Sequence, residues 1–186
     1  MGEMPLGIRS LLGPITDLKS EDRILIITDT DKFQIGKELF DWASKVNETS
    51  MAVMTPRASH GDEPTVEIAA AMETANVIFA ATSMSMFHSQ ARRRVVQNGH
   101  CRYVNLVDYI PSMFHEGGLT ADFLEITEIL NRIAPHFRGK KVELSSPGGT
   151  NLVCSVEGRE PVIDYGRSIR PGQSSSPPNA EIALGP

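Results

Sequence analysis

The sequence predicts an α/β protein: an open parallel sheet of the Rossmann or flavodoxin-like kind with helices on both faces, followed by the antiparallel start of a second domain. Three observations predict it. Four short, nearly all-apolar runs alternate with stretches of helical period. The connections between them are short. Beyond Lys140 the hydrophobic period changes from helical to two. Strands covered on both faces read as unbroken apolar runs, and strand–helix alternation yields parallel sheets.

Each element has its own signal. Residues 1–20 form a weak amphipathic lead-in with Leu6, Leu11, Leu12 and Ile15 available to pack. Arg23 to Thr28 is the first strand, and Asp29-Thr30-Asp31 can cap the next helix. Ile35, Leu39, Trp42, Ala43 and Val46 recur at helical spacing. Met51 to Met54 is a strand closed by Thr55-Pro56, and Thr65 caps a helix carrying Ile68, Ala71, Met72 and Ala75 on one stripe. Asn76 to Ala81 is the third strand. Phe87, Ala91 and Val95 mark a helix that Gly99 ends. Cys101 to Val107 is the fourth strand, and Thr120-Ala121-Asp122 starts a helix with Phe123, Ile126, Leu130 and Ile133 on one face. Val142 and Leu144, then Leu152, Cys154 and Val156, alternate with polar residues around the turn Pro147-Gly148-Gly149. Residues 166–180 read as loop, and Glu181 to Leu184 as a short strand. The expected domains are 1–139, the α/β body, and 140–186, a β-hairpin and loop that begin a second domain.

Composition narrows the function classes. The chain has 186 residues, 40% of them hydrophobic, and a formal net charge of −5. No basic stripe suits a nucleic acid, since Arg92-Arg93-Arg94 is too short for one. No apolar run reaches the ~20 residues of a membrane span. Two distant cysteines, Cys101 and Cys154, are expected as free thiols in a reducing, cytoplasmic setting. The first strand–helix turn has neither a dinucleotide nor a P-loop glycine pattern. No histidine pair has metal-ligand spacing, so a self-contained zinc site is not expected.

One turn draws interest on topology alone. The stretch Ser83 to Ser89 follows the third strand, where open α/β sheets place ligands. His88 and Arg92 are i and i+4 and share a helix side. With Ser89 they form the candidate ligand-binding set, aided by free N–H groups at a helix start. The plainer reading makes Ser85 the helix cap and His88 a surface residue. Asp29 and Asp31 could hold a cation, and helix capping is the cheaper explanation.

Two motifs resemble a known family. Ser146-Pro147-Gly148-Gly149-Thr150-Asn151-Leu152, then Ser155 and Gly158-Arg159, is similar to a strand pair in metallo-aminopeptidases of the aminopeptidase T and S type. Pro178-Asn179-Ala180-Glu181, with Pro186 five residues on, resembles their segment bearing the first metal-binding glutamate, Ala180 standing where the family has glycine. Ser85 to Arg93 also looks like the family. The superfamily includes relatives similar to 2,5-dihydroxypyridine dioxygenase.

The resemblance implies a metal-dependent hydrolase that releases N-terminal residues from peptides, with Glu181 as one metal ligand and no catalytic residue within this chain. It also implies that the second domain, 140–186, is a truncated metal-binding catalytic one. The divalent metal would be Zn, Co or Mg, bound only with further ligands beyond Pro186, and the fragment alone would be inactive. The alternative within the resemblance is part of a non-haem Fe(II) ring-cleaving dioxygenase, and outside it a non-enzymatic domain binding a small anion. A peptide or small-molecule substrate, and a homodimer, are the partners it implies.

Overall fold

The computed structural model describes residues 2–185. Five strands make one parallel sheet: β1 (Ile24–Asp29), β2 (Thr49–Met54), β3 (Val77–Ala81), β4 (Arg102–Asn105) and β8 (Ser174–Ser175), in the order β2-β1-β3-β4-β8. β1 and β3 are buried at every position, which is why both read as apolar runs. β2 lies at an edge and is only partly buried.

Helices cover both faces. On one side α1 (Leu6–Ser10), its wider continuation Leu11–Ile15, α2 (Phe33–Ala43) and the start of α5 (Phe123–Ile133) enclose Ile24, Ile26, Val77, Phe79 and Val104. The lead-in is therefore part of the core, with Ile8, Leu11 and Ile15 fully buried. On the other side α3 (Val66–Met72) and α4 (Gln90–Gln97) enclose Leu25, Ile27, Ile78 and Tyr103. Each fully buried aliphatic side chain contributes roughly 1.5–3 kcal/mol. Gly36 lies mid-helix in α2 because the helix crosses β1 at Thr28; a Cβ on Gly36 would come within 2.8 Å of the Thr28 Cβ.

Two antiparallel pairs complete the chain. β5 (Lys141–Ser145) pairs with β6 (Asn151–Ser155), with Leu144 opposite Leu152. β7 (Val162–Asp164) pairs with β9 (Glu181–Ala183). Between β7 and β9 the chain returns to the first body. Residues 166–180, expected as loop, contain β8, which extends the sheet beside β4. Two serines have no apolar period, and Ser175 is fixed instead by a 2.8 Å hydrogen bond from Ser168 Oγ. No helix among the described residues is long and apolar enough to cross a membrane.

Candidate functional site

The sheet order reverses between β1 and β3, since β1 leads to β2 on one side and the chain then returns to β3 on the other. Ligands of open α/β sheets bind outside the carboxyl ends of strands at such a switch point. Here that crevice is occupied by the chain itself. Asp29, fully buried at the end of β1, accepts from Ser83 N at 2.6 Å and Ser83 Oγ at 2.7 Å through one oxygen. Its other oxygen accepts from Asp31 N at 3.2 Å and Lys32 N at 3.0 Å. Four donors satisfy this carboxylate, and they settle it as a brace of the β1–α2 turn.

The Ser83–Ser89 turn leads into α4. Ser89, not Ser85, caps the helix: it is fully buried, and its Oγ accepts from Arg92 N at 3.2 Å. The N–H groups expected to be free for an anion meet the chain's own carboxylate. Glu63 accepts from Ala91 N at 3.0 Å and from Gln90 N. Ser85 is tied across the sheet edge: its Oγ donates to Asn105 Oδ1 at 3.2 Å, and its N donates to His60 Nδ1 at 3.0 Å.

His88 is exposed, with its ring 5.5 Å from that of Phe87, edge on. Arg92 lays its guanidinium 4.0 Å over the Phe87 ring and 5.7 Å from the Tyr103 ring. Both candidates lie against Phe87, although His88 precedes α4 and shares no helix face with Arg92. Burial lowers the Arg92 pKa and pushes the Tyr103 phenol up. The Nε of Arg92 and the hydroxyl of Tyr103 are both buried without a hydrogen-bond partner among the described residues.

Glu181 reaches its place by a different route. After β8 the chain crosses the carboxyl edge of the sheet. Asn105 Nδ2 donates to Ser176 Oγ at 3.4 Å, and the Tyr109 hydroxyl donates to Pro177 O at 2.6 Å. Pro178 lies against Gly118, where a Cβ would come within 2.8 Å of it. Ala180 lies outside the left-handed region, so alanine is unstrained at this position. Glu181, exposed at the start of β9, stands opposite Asp164 of β7. Directly opposed residues of an antiparallel pair share a face. Asp164 is held by Gly166 N, which donates to its Oδ1 at 2.8 Å. Pro186, the last position of the motif, lies outside the described residues.

This layout has a counterpart among solved structures. It is similar to 2,5-dihydroxypyridine dioxygenase from Pseudomonas putida KT2440, with a TM-score of 0.66 at 12% identity, over 95% of this chain and 53% of that one. The chain thus spans about half the length of that structure. At such identity the likeness is one of fold. No family model matches the sequence, and no curated protein does. The aminopeptidase resemblance therefore stands on its motif residues alone.

Among the described residues, no three His, Cys, Asp or Glu side chains converge as a metal site would require. Glu181 and Asp164 are register partners on the β7–β9 pair. Sequence reasoning missed Asp164, His60, Glu63 and Asn105. Their partners lie 17 or more residues away along the chain, and no local pattern marks them.

Proposed function

We propose that this chain forms the α/β half of a metal-dependent enzyme, with Glu181 as one ligand and Asp164 beside it. One observation carries this reading: the two carboxylates are register partners on the β7–β9 ribbon. Like charges placed directly opposite each other destabilise a ribbon. A divalent cation shared between them removes that repulsion, and carboxylate oxygens are the donors such cations take. Two carboxylates fit part of a ligand set, and the remaining ligands would come from polypeptide outside this chain. When bound, the metal would act as a Lewis acid. This chain's own share is to hold the carboxylates in place, Asp164 through Gly166 and Glu181 through the braced segment 176–180.

Between the two chemistries implied by the motifs, ring-cleaving dioxygenation with Fe(II) is the better supported. A solved structure of that activity has this fold along nearly the whole chain. The aminopeptidase reading draws on Ser146–Arg159 and Pro178–Glu181 only. In a longer protein that carries the remaining ligands, oxygen uptake with Fe(II) and 2,5-dihydroxypyridine favours the first, and hydrolysis of a leucyl anilide with Zn or Co favours the second.

The metal assignment is tested by adding Mn(II) to the chain and following paramagnetic broadening of its amide signals. Broadening centred on residues 164 and 181, abolished by Glu181→Gln, is expected. Broadening elsewhere, or stoichiometric tight zinc binding that survives Glu181→Gln, overturns it. His88 and Arg92 are a second proposed contact, for a small ligand, because the Arg92 guanidinium rests on Phe87 and forms no ion pair among the described residues.

A further inference from the structure

We propose that a cavity between α5 and the start of β8 binds an oxyanion, the carboxylate or phosphate group of a small molecule. The cavity holds about 220 Å³ and is lined by Thr127, Tyr165, Arg167, Ile169, Arg170 and Gln173. Two arginines line it and no carboxylate does. Neither arginine forms an ion pair among the described residues. Asp17 and Asp164 lie near Arg167 without a salt bridge to it, so in a chain of net charge −5 two arginines still gather at one hollow.

The donors are held in advance of any ligand. Arg167 is half-buried, and its Nε donates to Pro14 O at 2.6 Å while Nη1 donates to Thr127 Oγ1 at 3.2 Å. These bonds fix the guanidinium plane and leave Nη2 without a partner among the described residues. Gln173 Oε1 accepts from Ile169 N and Arg170 N, each at 2.9 Å. With its oxygen occupied, the Gln173 amide has only its NH₂ donors left to offer. Arg170 is exposed and completes the set. A planar guanidinium fork matches carboxylate and phosphate oxygens, and charge-assisted bonds to it are about twice as strong as neutral ones. Ile169 and the Tyr165 ring add an apolar wall. The volume falls below the roughly 300–1,000 Å³ of a drug-sized pocket, so the ligand is a single small acid or phosphate.

The test titrates inorganic phosphate and acetate separately into the isotope-labelled chain at constant ionic strength, with chloride as control, read by amide NMR. Saturable shifts across residues 165–173 are expected, and the tighter anion identifies the ligand class. Arg170→Gln removes an exposed side chain with no structural bond and should weaken binding about tenfold. Arg167→Lys keeps the charge, loses the fork and should weaken it by a similar factor. The absence of saturable shifts with either anion, or a variant that binds as tightly as the parent, overturns the proposal. The readout involves no metal and is independent of Glu181.

Discussion

Asp29 and Ser83, 54 residues apart, join the carboxyl ends of β1 and β3 through two hydrogen bonds to a single carboxylate oxygen. With Asp31 N and Lys32 N on the other oxygen, the group is an acceptor at every contact. Asp29→Asn must turn an NH₂ toward one of these donor pairs. Hydrogen bonds to a charged group are worth about 1.5–3 kcal/mol, so a loss of about 2–3 kcal/mol in urea unfolding is expected. Ser83→Ala, which removes only the hydroxyl, should cost less than Asp29→Asn. Equal midpoints for all three proteins would show that the contact does not stabilise the switch point.

Asp22 and Arg102 form a buried ion pair that fastens the lead-in to β4, since Arg102 Nη1 also donates to Thr16 O at 2.7 Å and Asp17 O at 3.1 Å. Removing one member of such a pair leaves a buried charge and costs about 3–5 kcal/mol. Asp22→Ala should therefore destabilise strongly, while Asp22→Ala combined with Arg102→Met should recover much of the loss. A double variant less stable than the single one contradicts this account.

Gly166 has φ +67°, and a Cβ there would run into the Asn179 carbonyl. Left-handed backbone costs an L-residue roughly 1–2 kcal/mol before any clash is counted. Gly166→Ala should lower the melting temperature by several degrees, at about 2–4 °C per kcal/mol for a chain of this size. Because Asn179 lies two residues before Glu181, Mn(II) broadening at residue 181 should weaken as well. An unchanged melting curve would mean that the 164–166 turn and the 176–180 segment are not packed as described.

Alkaline pH should destabilise the fold. Burial pushes the Cys101 thiol from its ordinary 9.0 up to about 12, and burial pushes the Tyr103 and Tyr109 phenols up as well. Below pH 9 both folded and unfolded chains hold the Cys101 proton, and its stabilising effect is fully present. Between pH 9 and 12 the unfolded chain releases it first, so stability falls as pH rises, by about 1.4 kcal/mol per unit for each such group. The tyrosines join above their ordinary 10.0. Urea midpoints from pH 8 to pH 11 measure the slope. Cys101→Ala should flatten the part between pH 9 and 10, and an unaltered slope there would assign the effect elsewhere.

Thiol reactivity checks the same burial. Cys154 is partly exposed on β6 and Cys101 is buried. A thiol reagent near pH 8 should modify one cysteine rapidly in the native chain and the second only on unfolding. The low thiolate fraction at Cys101 and its lack of access act together. Two equally fast cysteines would exclude a buried Cys101.

The strands β1 and β3 were legible because full burial leaves an unbroken apolar run, and the helices because their stripes repeat at a fixed period. Thr65 was legible as a cap because a cap bonds two or three residues ahead, and the start of α5 was legible at Thr120-Ala121-Asp122, where Asp122 proves to be the cap. His88 and Arg92 both lie against Phe87, but His88 sits in the turn before α4, so helical spacing does not account for it.

Ser174–Ser175 joins the sheet through β4, some seventy residues earlier in sequence, and carries no pattern of its own. Glu63 takes the helix start of α4, and Asp164 meets Glu181, through contacts with no short-range signature. Periodicity and capping are local consequences of backbone geometry, so the chain alone determined the four apolar strands, the main helices and the hairpin, but not β7 or β8. Strand order, the closing of the switch point by Asp29, and the pairing of two carboxylates follow from long-range packing, and only the tertiary structure decided them.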